Sequence, residues 1–375
     1  MSLTSSLYHP PCPHFGVCGG CALQHLPPDE YKAYKQDKIL RSLEHQQISI
    51  DNVHVYPLEI VPPQTRRRAV LKAYRGDKSV QVGFYQGKSH HVVDLQRCFV
   101  VVPEIESLID PLRKALLTLL PIQSRSEIFV TKCDQGLDVA LKRLQPSPLT
   151  LEQREAAVQF ATAHRHRLTR FMIDEEPLYV QVSPTVSFGG FPVHMTPDAF
   201  LQASAISDEW LAEKVCRFVP AGVGKMADLF CGRGTLTLPL TRLGSVNGYE
   251  RDAKALSDLQ KTVAKHRLPV SLQQRHLFQE PLSPQELAPF DVIVLNPPRE
   301  GAMAQARQLA LSRVKRVVMV SCNPRSFARD AEILLEGNYT LKEIHPFDQF
   351  LWSEHVELVA VFDLREASSR ETPSL

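Results

Sequence analysis

The sequence predicts an α/β protein whose carboxy-terminal part is a Rossmann-like domain with a mostly parallel sheet, preceded by an α+β region. Two observations support this prediction. From about residue 224, short apolar segments alternate with helical ones, which is the pattern of right-handed βαβ units. Before that point the chain is mostly β-like, and three closely spaced cysteines lie near its beginning.

Length and composition describe an ordinary globular chain. Its 375 residues are enough for two or three domains. The longest apolar runs have the length of a strand and fall far short of the ~20 residues that span a bilayer, so no membrane segment is expected. No secretory signal is readable at the amino terminus. These features predict a cytoplasmic protein.

Charge is distributed unevenly along the chain. Residues 1–170 carry 22 basic and 16 acidic side chains, whereas residues 171–375 carry 21 and 25. Basic side chains alternate with aromatic ones in one segment: Arg66, Arg67, Arg68, Lys72, Arg75, Lys78 and Lys88 with Tyr74, Phe84 and Tyr85. Because cations neutralise phosphates and aromatic rings stack on unpaired bases, this segment predicts contact with single-stranded nucleic acid. A solvated basic face without a partner is the alternative.

Cys12, Cys18 and Cys21 form a C-x5-C-x2-C run. In a long chain without a signal peptide, such spacing predicts metal ligation or redox chemistry rather than disulfides. A structural zinc or a cubane cluster needs four thiolates, and Cys98 is the nearest candidate for the fourth. Spacing alone leaves zinc and iron–sulfur open.

Before residue 224 the pattern predicts both strands and helices. The β-like segments are 53–102, 127–144 and 178–195, and the helical ones are 104–120, 150–167 and a helix that begins near 197–199. After residue 224, four strands are each followed by a helix: 226–230 and 235–243, 246–250 and 253–266, 291–295 and 302–311, 317–321 and 325–335.

The first two of these later strands end in residues suited to a nucleoside. Gly232 and Gly234 follow the first strand, and Glu250 ends the second. Glycines let a ligand approach the backbone, and a carboxylate accepts hydrogen bonds from both ribose hydroxyls. A tight turn without a ligand is the simpler alternative.

The next two strands end in Asn296 and in the run Ser321 to Pro324, which contains Cys322. Because ligands bind at the carboxyl ends of parallel strands, Cys322 is predicted to be a reactive thiol, with a packed core thiol as the alternative. Glu354 and Glu357 precede the last apolar run. Either acid is a second candidate group, or an ordinary solvated side chain.

Together these motifs resemble the S-adenosylmethionine-dependent RNA uridine-C5 methyltransferases, the TrmA/RumA family, in its iron–sulfur branch. The resemblance runs from Cys12 to about Asp363. Seven motifs occur in the order of that family: the four cysteines, SHHVVD at 89–94, FLQA at 200–203, DLFCGRG at 228–234, NPPR at 296–299, SCNP at 321–324 and HVE at 355–357.

The resemblance implies a class I methyltransferase domain and a 4Fe-4S cluster on Cys12, Cys18, Cys21 and Cys98. It implies cofactor contacts at Gln202, Phe230, Glu250 and Asn296, a nucleophile at Cys322 and a proton-abstracting base at Glu357. Asn296 stands where many relatives have Asp. The cluster is expected to organise the RNA-holding region, since methyl transfer to a uridine requires no redox step.

The expected activity is methylation of C5 of a uridine in RNA, with 23S ribosomal RNA as the favoured substrate and the transfer RNA T-loop as the alternative. An amino-methylating enzyme is the nearest rival, because Asn296 is followed by two prolines. A non-catalytic iron–sulfur RNA-binding protein is a rival of another class. A monomer is expected.

The implied domain limits follow from these motifs. They are a cluster region at 1–52 plus 89–100, a central mostly β RNA-binding region at 53–195, the methyltransferase domain at 196–363 and a flexible tail at 364–375.

Overall fold

The computed structural model describes residues 9–365. Of the predicted tail, residues 366–375 lie outside the described part. The chain forms two compact units, and both are discontinuous in sequence. Of the described residues, the first unit contains 9–35, Ile60–Trp210 and Asp348–His355, and the second contains Gln36–Glu59, Leu211–Phe347 and 356–365. The predicted limits of the domains stay a prediction. The sequence pattern did not indicate that each unit is built from three separate stretches of the chain.

The helices and strands follow one another in the order given by their residue numbers. The helices are α1 Pro28–His45, α2 Pro103–Glu106, α3 Ile109–Leu119, α4 Leu151–Ala163, α5 Ala205–Arg217, α6 Thr237–Leu240, α7 Ala253–His266, α8 Pro284–Leu287, α9 Met303–Ala310 and α10 Pro324–Glu336. The strands are β1 His54–Val55, β2 Glu59–Ile60, β3 Arg68–Arg75, β4 Val80–Tyr85, β5 Val92–Asp94, β6 Ser124–Cys133, β7 Gly136–Arg143, β8 Leu168–Ile173, β9 Glu176–Val180, β10 Thr185–Phe188, β11 Phe191–His194, β12 Lys225–Leu229, β13 Ser245–Glu250, β14 Val270–Gln274, β15 Val292–Leu295, β16 Arg316–Ser321, β17 Tyr339–Asp348 and β18 Glu357–Leu364.

The first unit is built on a sheet with the order β5-β4-β3-β6-β7-β8-β9. Buried and partly exposed residues alternate along β3, as expected for a sheet with one covered face. Helix α3 turns Ile109, Leu112, Leu116 and Leu119 inward, and these side chains belong to the same core cluster as the buried side chains of β3 and β6. The β10–β11 hairpin lies outside this sheet.

The second unit contains the predicted parallel sheet. Its order is β1-β17-β18-β16-β15-β12-β13-β14, and β2 also pairs with β17. Strands β14, β13, β12, β15 and β16 run parallel to one another. All four residues of β15 are buried, as is usual for a strand covered on both faces. Strand β18 runs antiparallel between β16 and β17. The α/β class and the four strand–helix pairs are therefore confirmed.

The predicted start of helix α5 is wrong. The sequence pattern begins the helix near 197–199, whereas the helix begins at Ala205. Tertiary partners occupy the backbone of Ala203: its N–H donates to Gln349 Oε1 at 2.9 Å, and its carbonyl oxygen accepts from Arg67 N at 2.9 Å. Ser204 Oγ then accepts from Ser207 N at 3.1 Å, a bond typical of a helix N-terminus.

Within residues 9–365, no helix is both long and apolar enough to cross a membrane.

Candidate functional site

The turn after β12 leaves open space beside its backbone. Phe230, Gly232 and Gly234 have φ angles of +63°, +54° and +92°, which L side chains rarely adopt. A Cβ on Gly232 would meet no atom within 4 Å, whereas one on Gly234 would lie 2.5 Å from Leu259 Cδ1. Gly234 is therefore required by packing against α7, and Gly232 leaves room for a ligand at the backbone.

Glu250 closes this turn from the neighbouring strand. Its Oε2 accepts from Gly232 N at 3.1 Å, and its Oε1 accepts from Arg251 N at 2.7 Å and Asp252 N at 2.8 Å. Three backbone N–H groups thus fix the carboxylate at the carboxyl end of β13. A carboxylate at this position suits the hydroxyl groups of a nucleoside.

Beneath the turn, Asp228 is fully buried and accepts a hydrogen bond from Thr237 Oγ1 at 2.6 Å. Burial raises the pKa of Asp228 to about 7, and the nearby negative charge of Glu250 adds to the rise. To one side, the rings of Phe230 and Phe278 lie 5.4 Å apart between centroids. Phe230 therefore has an aromatic partner from the loop after β14.

Asn296 lies at the end of β15 and is half-buried; its backbone N–H donates to Leu229 O at 3.2 Å. The loop that follows is fastened to the N-terminus of α10. The carbonyl oxygen of Arg299 accepts from Asn323 Nδ2 at 2.9 Å and from Ser326 Oγ at 3.0 Å. A Cβ on Gly301, whose φ is +80°, would lie 2.5 Å from Asp330 Oδ2. The loop that carries Arg299 is therefore held in one position.

Cys322 and Glu357 lie at facing ends of two paired strands. In the antiparallel register of β16 and β18, Ser321 pairs with Leu358, so the next pair outward brings Cys322 opposite Glu357. Cys322 is half-buried and Glu357 is buried. The structure thus brings together the predicted nucleophile and the predicted base, which are 35 residues apart (357 minus 322) in the sequence.

Burial raises the pKa of the Cys322 thiol to about 11, and the charges of Glu357 and Glu300 act in the same direction. The guanidinium of Arg299 acts in the opposite direction and lowers this pKa. The sequence pattern does not predict this effect of Arg299, because the proximity of Arg299 to Cys322 depends on the fastened loop. A pKa of about 11 leaves the Cys322 thiol protonated at neutral pH.

These charges predict how fast Cys322 is alkylated. Only the thiolate reacts, so labelling by iodoacetamide should rise about tenfold per pH unit below the pKa. Glu357→Gln removes a negative charge, lowers the pKa and should speed labelling at constant pH, by about tenfold for one pK unit. Arg299→Met removes a positive charge and should slow it. Mass spectrometry of the Cys322 peptide measures both rates; a change in the same direction in both variants would contradict the assignment.

Gln202 lies in the first unit, whereas the other predicted cofactor residues, Phe230, Glu250 and Asn296, lie in the second. It is buried, and its Oε1 accepts from Gln349 Nε2 at 2.7 Å. The neighbouring Phe200 is exposed. The role of Gln202 toward a cofactor stays a prediction.

The four predicted cluster cysteines, Cys12, Cys18, Cys21 and Cys98, line one cavity of about 590 Å³ in the first unit. Burial raises the pKa of each of the last three, that of Cys21 to about 12. In the part of the chain that the structure describes, no group of three or more His, Cys, Asp or Glu side chains is arranged to hold a metal ion. The four cysteines thus share one cavity, and the cluster itself stays a prediction.

The basic segment divides into buried and accessible members. Arg67 is buried and paired with Asp208, and Arg75 is buried with its Nε donating to Leu117 O at 3.4 Å. Neither can neutralise a phosphate, because internal partners hold their guanidinium groups. Lys78 and Lys88 are exposed, and these two remain available to an anionic partner.

Comparison with known proteins places this site in a family. The description "Methyltransferase small domain" matches residues 212–318, and "tRNA (Uracil-5-)-methyltransferase" matches residues 282–364. The second match includes Cys322 and Glu357. Both matches lie in the part of the chain that contains the glycine turn, the fastened loop or the paired strands.

Among whole-chain relatives, an uncharacterized RNA methyltransferase of Brucella suis is 40% identical, covering 94% of this chain and 84% of its own length. The 23S rRNA (uracil(1939)-C(5))-methyltransferase RlmD of Bordetella bronchiseptica is 32% identical, covering 94% of this chain and 80% of its own. The chain belongs to this family of RNA methyltransferases.

A solved structure has a similar fold over most of the chain. The tRNA (uracil-54, C5)-methyltransferase of Pyrococcus abyssi, in complex with S-adenosyl-L-homocysteine, has a TM-score of 0.71, covers 92% of this chain and 86% of its own, and is 21% identical. The mixed α/β methyltransferase fold with a Rossmann-like domain is therefore confirmed.

Proposed function

We propose that the protein transfers a methyl group from S-adenosylmethionine to C5 of a uridine in RNA, with 23S ribosomal RNA as the substrate. The observation that carries the proposal is the position of Cys322 beside Glu357: Ser321 pairs with Leu358 in the antiparallel register of β16 and β18, and the charge of Glu357 acts on the Cys322 thiol. A thiol beside a carboxylate suits a reaction that needs a nucleophile first and a base afterwards.

Cys322 supplies the nucleophile in this proposal. Uracil C5 is too weakly nucleophilic to accept a methyl group directly. Cys322 gives its proton up to solvent, and addition of the thiolate to C6 places electron density at C5. C5 then bonds to the methyl carbon while the bond between that carbon and the cofactor's sulfonium breaks. Glu357 then takes the proton from the methylated C5, and the C6–sulfur electron pair returns to Cys322 as the C5–C6 double bond forms again. Arg299 favours the thiolate because it lowers the pKa of Cys322.

Phe230, Glu250 and Asn296 would hold S-adenosylmethionine, which supplies an electrophilic methyl group on a sulfonium when it is bound. The open backbone at Gly232 and the fixed carboxylate of Glu250 fit its adenosine part. The remaining work of these residues is to orient the cofactor and to exclude water.

We expect the loss of the Glu250 carboxylate to weaken cofactor binding measurably. Glu250→Ala removes a charged hydrogen-bond acceptor, which contributes about 1.5–3 kcal/mol, so S-adenosylmethionine should bind about 10- to 100-fold more weakly. Isothermal titration calorimetry measures the change, with Glu336→Ala at the exposed end of α10 as the matched control. Equal affinities in the two variants would remove Glu250 from the site.

A 4Fe-4S cluster on Cys12, Cys18, Cys21 and Cys98 is part of the proposal. Two points support it: all four cysteines line one cavity, and four thiolates are the donor set that a 4Fe-4S cluster requires. Bound, the cluster would stabilise the surrounding backbone, and Gly20 N already donates to Cys18 Sγ at 3.5 Å.

The cysteines predict the metal content of the protein. Cys98→Ser, purified without oxygen, should lose most of its iron and acid-labile sulfide, because one of four thiolates is missing. Cys133→Ala, a buried cysteine of the same unit, should keep both. Metal analysis by mass spectrometry also measures zinc; zinc in place of iron and sulfide would contradict the cluster.

RNA contact is supported in the first unit by an open cavity of about 450 Å³ with Tyr85, Lys88 and His90 in its wall. Lys72 Nζ lies 5.3 Å from the centroid of the Tyr85 ring but is paired with Glu127, so the exposed Lys88 supplies the cation at this cavity. An aromatic ring beside a cation suits an unpaired base and its phosphate.

The test measures labelled methyl transfer from S-adenosylmethionine to unmodified 23S ribosomal RNA and, separately, to transfer RNA. The expected product is 5-methyluridine in 23S ribosomal RNA, in accordance with the 32% identical RlmD relative. Transfer only to transfer RNA would keep the chemistry and change the substrate, in accordance with the "tRNA (Uracil-5-)-methyltransferase" match. An N-methylated nucleoside as product would overturn the chemistry.

A further inference from the structure

A buried network holds the segment that joins β17 to β18. We call residues 348–355 the strap. Lys35 of α1 donates from Nζ to Asp348 Oδ1 at 2.9 Å and also to the carbonyl oxygen of His355. The side chains of Lys35 and Asp348 are both inaccessible to solvent. One ammonium group therefore binds the first and the last residue of the strap.

Tyr31, one helical turn before Lys35, fixes the middle of the strap. Its hydroxyl donates to Asp348 Oδ2 and accepts from Trp352 N at 2.8 Å. Trp352 has a φ of +61°, a conformation that costs energy for a bulky residue and persists only where its surroundings hold it. The strap is thus held at both ends and at its middle.

The strap also contacts two other predicted elements of function. The carbonyl oxygen of Trp352 accepts from Ala22 N at 2.8 Å and Leu23 N at 3.0 Å, directly after Cys21. Gln349 binds Gln202 through its side chain. Two residues beyond His355 the chain reaches Glu357, the first residue of β18. Only Val356 separates the strap from Glu357 along the chain.

We propose that Lys35 and Asp348 are positioning residues for Glu357: by binding both ends of the strap, Lys35 fixes where β18 begins and so where the carboxylate stands relative to Cys322. A buried ion pair contributes little net stability, because desolvation of the two charges offsets their attraction. Its placement at the two ends of a segment that leads into Glu357 gives the pair a geometric role. The role of Glu357 as a base rests on the proposed function, whereas the positioning of its carboxylate does not.

The test uses the full chain with the double variant Lys35→Met/Asp348→Asn. Removing both charges avoids the uncompensated buried charge that either single change would leave. Methyl transfer should fall about 100-fold, as expected when a catalytic group is displaced by about 1 Å, while KM for RNA changes less than about twofold. A covalent protein–RNA complex should accumulate, as expected when the base is out of place.

Two further variants keep the result interpretable. Tyr31→Phe removes one hydroxyl and no charge, so it can replace the double variant in the test if the double variant does not fold. It should also accumulate the covalent protein–RNA complex, but to a smaller extent. Asp37→Asn, in an exposed ion pair with Arg41 on the same helix, should behave as the unmodified protein. Reduced turnover in proportion to the folded fraction, with no accumulated complex, would show that the network is only structural.

A second readout needs neither RNA nor cofactor. Cys322 is faced by Glu357, Glu300 and Arg299, so its labelling profile against pH reports where Glu357 stands. In the double variant the profile should shift toward that of Glu357→Gln, and a profile identical to that of the unmodified protein would overturn the proposal. If no RNA is methylated but the profile shifts, the positioning role stands and the proposed function fails.

Discussion

Replacement of Cys322 by alanine is expected to abolish methyl transfer, with a loss of about 10⁴-fold or more, because the variant has no atom that can add to C6 of uracil. The covalent protein–RNA complex should disappear at the same time. Single-turnover transfer of a labelled methyl group measures the rate, and a denaturing gel detects the complex. S-adenosylmethionine binding should remain, because the Gly232 turn and Glu250 are unchanged.

The matched control is Cys216→Ala. Cys216 lies on α5, is partly buried and has no place in the proposed chemistry, so this variant should keep its activity. If Cys322→Ala transferred methyl groups as fast as this control, the reaction would need no nucleophile. Transfer to an exocyclic amine through the Asn296 loop would then become the better explanation.

The parallel strands could be predicted because each is a local feature of the sequence. Strands such as Val292–Leu295 are continuously apolar, which is typical of strands covered on both faces. Their order along the chain, each followed by a helical segment, limits the topology to right-handed βαβ units. The ends of these strands then indicated where Glu250, Asn296 and Cys322 come together.

The pairing of Cys322 with Glu357 could not be derived from the residues alone. It depends on β18 running antiparallel beside β16 and on a register that sets Ser321 against Leu358. A shift of that register by one residue would turn the Glu357 side chain to the other face of the sheet. The resemblance to a family predicts a nucleophile at Cys322 and a base at Glu357, and the register of the sheet explains why the two residues lie close together.

The strap and its network left no signal in the sequence. Lys35 lies among charged neighbours on a polar helix. This sequence context predicts a solvent-exposed side chain, yet Lys35 is buried. Its partner Asp348 is 313 residues away along the chain. Arg67 is a second example. The basic segment predicts a phosphate contact for this residue, whereas the structure has it in a buried ion pair with Asp208. Long-range partners decide such side chains, and no local pattern reports them.

Glu357→Gln is expected to separate the two halves of the reaction. The amide cannot take the C5 proton, so turnover should fall about 10²- to 10⁴-fold. Addition of Cys322 should persist, because loss of the Glu357 charge lowers the pKa of the thiol and raises the thiolate fraction. The methylated covalent complex should therefore accumulate, which a label in the methyl group and a denaturing gel detect together.

Glu354→Gln is the discriminating control, because Glu354 is the other acid that the sequence offers for this role, and it is exposed. It should turn over normally and accumulate no complex. The opposite result, accumulation in Glu354→Gln and normal turnover in Glu357→Gln, would transfer the role of base to Glu354. Loss of both turnover and complex in Glu357→Gln would instead mean that its carboxylate is needed before the bond to C6 forms, as the group that accepts the proton of Cys322.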